Sequence, residues 1–236
     1  MRNKKIIIGI VLLIIAVVLM IVLFKDISKN NNSNISKDAI KFKKEYEKLN
    51  GKVVGSGFTY FDLNIKEDNA FVYKTAEEII EIIESKTGLI YLGYSNCPWC
   101  RNAVNVLQHV NAGKIYYLDM TNHRDTYEVI NNVITKTKDG TKEYYRLMEL
   151  LDETLMDYEL SDGIKVGEKR IYVPMVIGVK DGEIVGYHID VVDLDEGQNP
   201  FDSLTNKQQS KLKLIYDEIN AKVNDDMCTF DNNHGC

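Results

Sequence analysis

The sequence predicts an α/β domain, a mixed sheet flanked by helices, carried behind a single apolar N-terminal segment. Two observations predict the domain. A short apolar run, Gly88 to Leu92, leads into Cys97-Pro98-Trp99-Cys100, which opens a helical pattern and is followed by a second apolar run, Ile115 to Leu118; strand, helix, strand in that order is a crossover unit. Further on, Met175 to Val179, Asp181-Gly182 and Ile184 to Tyr187 read as strand, two-residue turn and strand, so an antiparallel hairpin joins the same sheet. The third observation concerns the N-terminus, where Ile6 to Phe24 are 19 residues without a charge. As a helix they would reach roughly 28 Å, enough for a hydrocarbon core.

Arg2, Lys4 and Lys5 precede the apolar run, so the positive-inside bias puts residues 1–5 in the cytoplasm, makes residues 6–24 a transmembrane anchor and places the rest outside. A cleaved signal peptide is the competing reading, but the run is long for one and no small-x-small site follows. Residues 25–37 include the polar tract Ser28 to Ser36, a flexible tether with nothing to bury. Residues 38–224 form the domain and 225–236 a polar tail. The chain has 236 residues and a formal net charge of -6. With no basic stripe interleaved with aromatics, nucleic acid is a poor partner.

Within the domain, Asp38 to Leu49 places Phe42, Tyr46 and Leu49 on one helical stripe. Val53 to Ile65 alternates loosely and suggests one or two strands. Thr75-Ala76-Glu77-Glu78 has capping-box form and starts a helix whose apolar face carries Ile79, Ile80, Ile82 and Ile83. The helix after the cysteines is expected over Asn96 to Ala112, closed by Gly113. Residues 121–168 are mostly polar, with Tyr145, Met148, Leu151 and Leu155 at helical spacing, and predict a helical insertion. Ile171 to Val173 is extended up to Pro174. A last helix begins at Thr205-Asn206 and carries Leu212, Ile215, Ile219 and Val223.

Chemistry concentrates at the cysteines. The free N–H groups and positive dipole end of a first helical turn favour a thiolate, the reactive form of a thiol. Cys97 stands there, with Pro98 at the first helical position, where a missing N–H costs nothing. Cys100, one turn on, is more enclosed. Cys97 is therefore the candidate nucleophile and Cys100 the resolving thiol that closes on it from a mixed disulfide. Trp99 lies on the rim facing substrate, and Arg101 reads as a solvated helix residue. The chain has only three prolines; Pro174, before a strand, marks a turn or a cis bond. Cys228 and Cys236 enclose seven residues and are expected to close a local structural disulfide; they could also relay electrons to Cys97. The same Cys-x-x-Cys spacing serves metals, and Cys228, His234 and Cys236 could complete a zinc or copper site, but without a second Cys-x-x-Cys the redox reading, with neither metal nor cofactor, is preferred.

The block Gly93-Tyr94-Ser95-Asn96-Cys97-Pro98-Trp99-Cys100-Arg101, with Val173-Pro174 before a hairpin and a terminal helix, resembles the thioredoxin superfamily. It is also similar to membrane-anchored thioredoxin-like proteins of Gram-positive bacteria, including bacteriocin transport accessory proteins. The resemblance covers roughly residues 74–223. It implies a thioredoxin-like mixed sheet, Cys97 as attacking and Cys100 as resolving cysteine, Pro174 as a cis-proline, and backbone pairing of substrate beside Val173. The implied activity is extracytoplasmic thiol-disulfide exchange with protein cysteines, helped by a separate redox partner; the alternative is a non-catalytic docking protein for an export or assembly complex. Two departures stand out. Tyr91 occupies the strand position where thioredoxin has a buried acid, and 73 residues separate Cys100 from Pro174, far more than one crossover needs.

Overall fold

The computed structural model describes Met20 and residues 35–160 and 163–224. The expected anchor, residues 6–24, lies outside the described residues except for Met20, as do most of the tether and the tail with Cys228 and Cys236; among the described residues no helix is long and apolar enough to cross a membrane. What is described is an α/β domain built on a mixed five-stranded sheet with helices on both faces.

The domain starts with α1 (Lys37–Glu47), which buries Ala39, Phe42 and Tyr46. Residues 53–65 then run as a loop with a single bridge, Val53 to Thr59, instead of the expected strands. Glycines at 55 and 57 leave no continuous pleated face there, and the loop is fastened by side chains: Asn50 donates to the Leu63 carbonyl at 2.8 Å and Glu47 accepts from the Ile65 N–H at 2.7 Å. The strand β1 (Phe71–Tyr73) was not legible in the sequence, three residues being too few to show a period.

The helix α2 (Ala76–Ser85) begins with the expected capping box at Thr75, and β2 (Gly88–Gly93) follows. Next come α3 (Pro98–Leu107) and β3 (Ile115–Asp119). The helix α3 is shorter than its pattern suggested: Gln108 caps it and residues 108–110 continue as turns, so that Val110 still reaches the core.

The stretch expected to be helical holds more strand than helix. It holds a hairpin of β4 (Thr126–Ile130) and β5 (Val133–Lys138), one helix α4 (Lys142–Leu150), a 3-10 turn at Asp152–Thr154, and a second hairpin of β6 (Met156–Glu159) and β7 (Lys165–Arg170). Asn131 and Asn132 form the first turn with φ of 51° and 61°, the left-handed geometry of a two-residue hairpin turn that asparagine tolerates. The β-branched residues on either side, with that Asn-Asn between them, were the available signal.

The chain returns through β8 (Met175–Lys180) and β9 (Glu183–Ile189), turning at Asp181-Gly182 as expected, and closes with α5 (Asn206–Asn224). The strand order is β1-β3-β2-β8-β9; β1, β3 and β2 run parallel, and β8 and β9 are antiparallel to their neighbours. Side chains alternate across the sheet. Leu89 and Tyr91 of β2 join a core with α1, α3 and α5, while Ile90 and Leu92 join another with α2 and α4. In the parallel pair Gly93 stands opposite Asp119, and in the antiparallel pair Leu92 stands opposite Met175. The end of β2, the end of β3 and the start of β8 therefore lie at one end of the sheet. The cysteine helix starts there, and residues 120–174 both leave and rejoin the sheet there.

Candidate active site

Cys97 is the N-cap of α3, with extended backbone (φ -84°, ψ 118°), and Pro98 occupies the first turn. The Cys97 sulfur accepts the Cys100 N–H at 3.1 Å, one of the amides that the first helical turn leaves without an intrahelical partner. Both cysteines are free thiols. Cys97 keeps 6% of its surface exposed and Cys100 none, so one sulfur can be reached from outside and the other lies behind it. Burial pushes the Cys100 thiol well above the ordinary thiol range, and the adjoining Cys97 sulfur adds to this. Cys100 is thus held as a neutral thiol until the bond at Cys97 changes.

Across from Cys97 stands the residue before Pro174, at the entry to β8. The Val173 carbonyl lies 4.0 Å from Cys97 Sγ, and the Val173-Pro174 peptide bond is cis. Pro174 itself is buried, and its carbonyl accepts the Asp190 N–H at 2.8 Å. Trp99 is half-buried against the α3 core and, with Cys97, Pro98 and Val173, lines an open groove of about 740 Å³. The structure thus brings Cys97, Pro98, Trp99, Cys100, Val173 and Pro174 together. Cys228, His234 and Cys236 lie outside the described residues; among those described, no group of three His, Cys, Asp or Glu side chains could hold a metal ion.

Several residues that sequence reasoning passed over shape this site. Arg101 is not solvated: it is fully buried. Its guanidinium donates to the Tyr46 carbonyl at 2.6 Å, Asn50 Oδ1 at 2.7 Å and the Phe61 carbonyl at 2.9 Å. The polar periodicity of α3 hid this, because the partners come from the end of α1 and the loop after it, which no helical pattern reveals. Asn102 is buried too, donating to the Pro200 and Asp202 carbonyls and accepting the Leu204 N–H. Tyr60 donates to the Asn96 carbonyl at 2.7 Å, and Arg124 donates to the Tyr94 hydroxyl at 2.8 Å. The turn ahead of Cys97 is therefore pinned at two points by segments distant in sequence.

The far wall of the groove belongs to the long segment between β3 and β8: Arg124, Met156, Arg170 and Tyr172 line it. The Tyr172 hydroxyl donates to the Asp157 carbonyl and accepts the Glu159 N–H, each at 3.0 Å, which fastens β6 to the residue next to Val173. A sulfur at the N-terminus of a helix, a second thiol behind it and a backbone carbonyl opposite make up a dithiol site at the end of an α/β sheet. No protein-family model matches the chain, and no curated protein does either.

Proposed function

We propose that this protein is a thioredoxin-like thiol-disulfide oxidoreductase that acts on protein cysteines, anchored in the cell membrane by residues 6–24 with its domain outside the cytoplasm. The single observation that carries the reading is the arrangement at Cys97: its sulfur caps α3 at 3.1 Å from the Cys100 amide and faces the Val173 carbonyl across an open groove. The sheet order and the likeness to membrane-anchored thioredoxin-like proteins of Gram-positive bacteria support it. Trp99, Val173 and Pro174 form the substrate side of the site.

In the reducing direction, the Cys97 thiolate attacks one sulfur of a substrate disulfide; the S–S bond breaks and the other substrate sulfur leaves as a thiolate that takes a proton from water. Cys100 then loses its proton and attacks the Cys97 sulfur of the mixed disulfide. The second substrate thiol is released, and the Cys97-Cys100 disulfide holds the two electrons' worth of oxidation. Oxidation of a substrate dithiol is the same path reversed, and direction follows from potential relative to a separate redox partner.

Full-length Cys100→Ala protein isolated from cells tests this. Substrates should remain on Cys97 as mixed disulfides that dithiothreitol releases and that the Cys97→Ser, Cys100→Ala double variant lacks; absence of any such adduct would count decisively against the proposal. A second reading, a docking module for an export or assembly complex, is favoured by the aliphatic tip of the β4–β5 hairpin, where Val129, Ile130 and Val133 are exposed. Under it, Cys97→Ser keeps the cellular role; under the first it loses it.

A further inference from the structure

Arg124 and Arg170 both line the groove that holds Cys97. Each is held in place by aromatic rings. The Arg124 guanidinium lies 5.0 Å from the Tyr94 ring centre and donates to the Tyr94 hydroxyl at 2.8 Å. That of Arg170 stacks on Tyr158 at 3.7 Å and stands 5.8 Å from the Tyr172 ring. Both rings and guanidiniums lose little freedom on binding, since they are already ordered.

Neither arginine has an ion-pair partner among the described residues, although the chain carries 35 acidic residues against 29 basic ones. The Arg170 Nε is buried and has no hydrogen-bond partner in the structure. Two carboxyls come near. Asp125 is buried with Oδ1 unpartnered and forms no ion pair with either arginine; burial raises it from the ordinary carboxylate range, against the opposing charge of Arg170. Asp190 lines the groove, and its Oδ1 accepts the Val191 N–H at 2.9 Å. Two preorganised guanidiniums without ion-pair partners, lining the same groove as Cys97, suit a carboxylate, which guanidinium binds through paired N–H donors.

We infer that Arg124 and Arg170 select substrates whose reactive cysteine is flanked by acidic residues, the substrate carboxylate resting on the two guanidiniums while its sulfur meets Cys97. This rests on the oxidoreductase reading and names the substrate class of the same site. The chemistry is unchanged: the substrate S–S bond breaks, a bond to Cys97 forms, and the displaced thiolate is protonated by water.

The test uses the reduced full-length chain in a nonionic detergent and three pyridyl-disulfide peptides that differ in one residue beside cysteine: Glu, Gln or Lys. Each rate, read from released pyridinethione, is divided by that for dithiothreitol with the same peptide, which removes the peptide's own reactivity. The Glu peptide should exceed the Gln peptide by about five- to tenfold at low salt, with Lys slowest, and the spread should shrink as salt rises toward about 0.3 M. Arg124→Gln and Arg170→Gln should bring the Glu-to-Gln ratio toward one, and Arg→Lys should restore part of it. The ratio in the wild-type protein decides even if a variant fails to fold: equal rates, or faster reaction with Lys, overturn the inference. Reaction with neutral 2,2′-dithiodipyridine separates the two levels, since no reaction there overturns the oxidoreductase reading itself.

Discussion

The Tyr91 hydroxyl donates to the Cys100 carbonyl at 3.3 Å and takes a hydrogen bond from Tyr46 at 3.1 Å, so a buried chain of two phenols runs from α1 to Cys100. Burial raises both phenols well above the ordinary tyrosine range, which keeps them neutral donors. The Tyr91 hydroxyl also acts against the burial that raises the Cys100 thiol.

Tyr91→Phe removes the middle of that chain and leaves the Tyr46 hydroxyl buried without its acceptor. The expected cost is about 1–3 kcal/mol in urea unfolding. Cys100 should also become slower to alkylate in Cys97→Ser, Tyr91→Phe than in Cys97→Ser alone. An unchanged alkylation rate would show that the hydroxyl does not reach the sulfur's chemistry.

Arg101→Ala should be among the most damaging substitutions in the domain, since it empties the space of a fully buried side chain and removes its bonds to the Tyr46 carbonyl, Asn50 Oδ1 and the Phe61 carbonyl together. A loss of about 3–5 kcal/mol is expected. Arg101→Lys retains a charge but not the fork that reaches three acceptors, and should recover only part of it. Denaturant midpoints with an unchanged slope are the measurement.

The buried Cys100 thiol gives the reduced protein a pH dependence of definite sign. Its value is raised in the folded state, so above the unfolded thiol range the native protein binds more protons than the unfolded chain and stability falls as pH rises. The decline should start near pH 8.5. The disulfide form lacks this titration and should hold steady there, both forms weakening once the unfolded chain's tyrosines ionise near pH 10. Unfolding curves of the two forms between about pH 7 and pH 9.5 check it; parallel curves would contradict the burial argument.

Tyr172→Phe loses both bonds that hold β6 beside Val173. These groups are solvent-exposed, so global stability should change by less than about 1 kcal/mol. Amide hydrogen exchange should instead rise locally over Met156–Glu159 and Lys165–Arg170.

How much of this was legible in the sequence depended on where each residue's partners came from. Thr75 and Glu78 cap their own helix, Pro98 opens its own, and Asp181-Gly182 turns its own hairpin; such features need only neighbours and were read correctly. Arg101 was misread because its partners are Tyr46, Asn50 and Phe61, 40 or more residues away. The segment after β3 was misread for a related reason. Its strands are short, so Tyr145, Met148, Leu151 and Leu155 at helical spacing suggested a helical run where the chain makes a helix of nine residues, a 3-10 turn and then a strand. Cys97 and Cys100 were found from local pattern alone; Arg124, Arg170 and Tyr172, which wall the groove, carried no local signal.

That residues 120–174 depart and return at the same end of the sheet bears on how such a protein can diversify. The two hairpins of this segment lie outside the five-stranded sheet, yet the segment supplies one wall of the groove beside Cys97. Replacing residues 120–170 between two proteins of this architecture should therefore carry substrate preference along with the graft while the dithiol keeps its own potential. On the oxidoreductase reading, recognition and electron exchange are then separately heritable within one continuous domain.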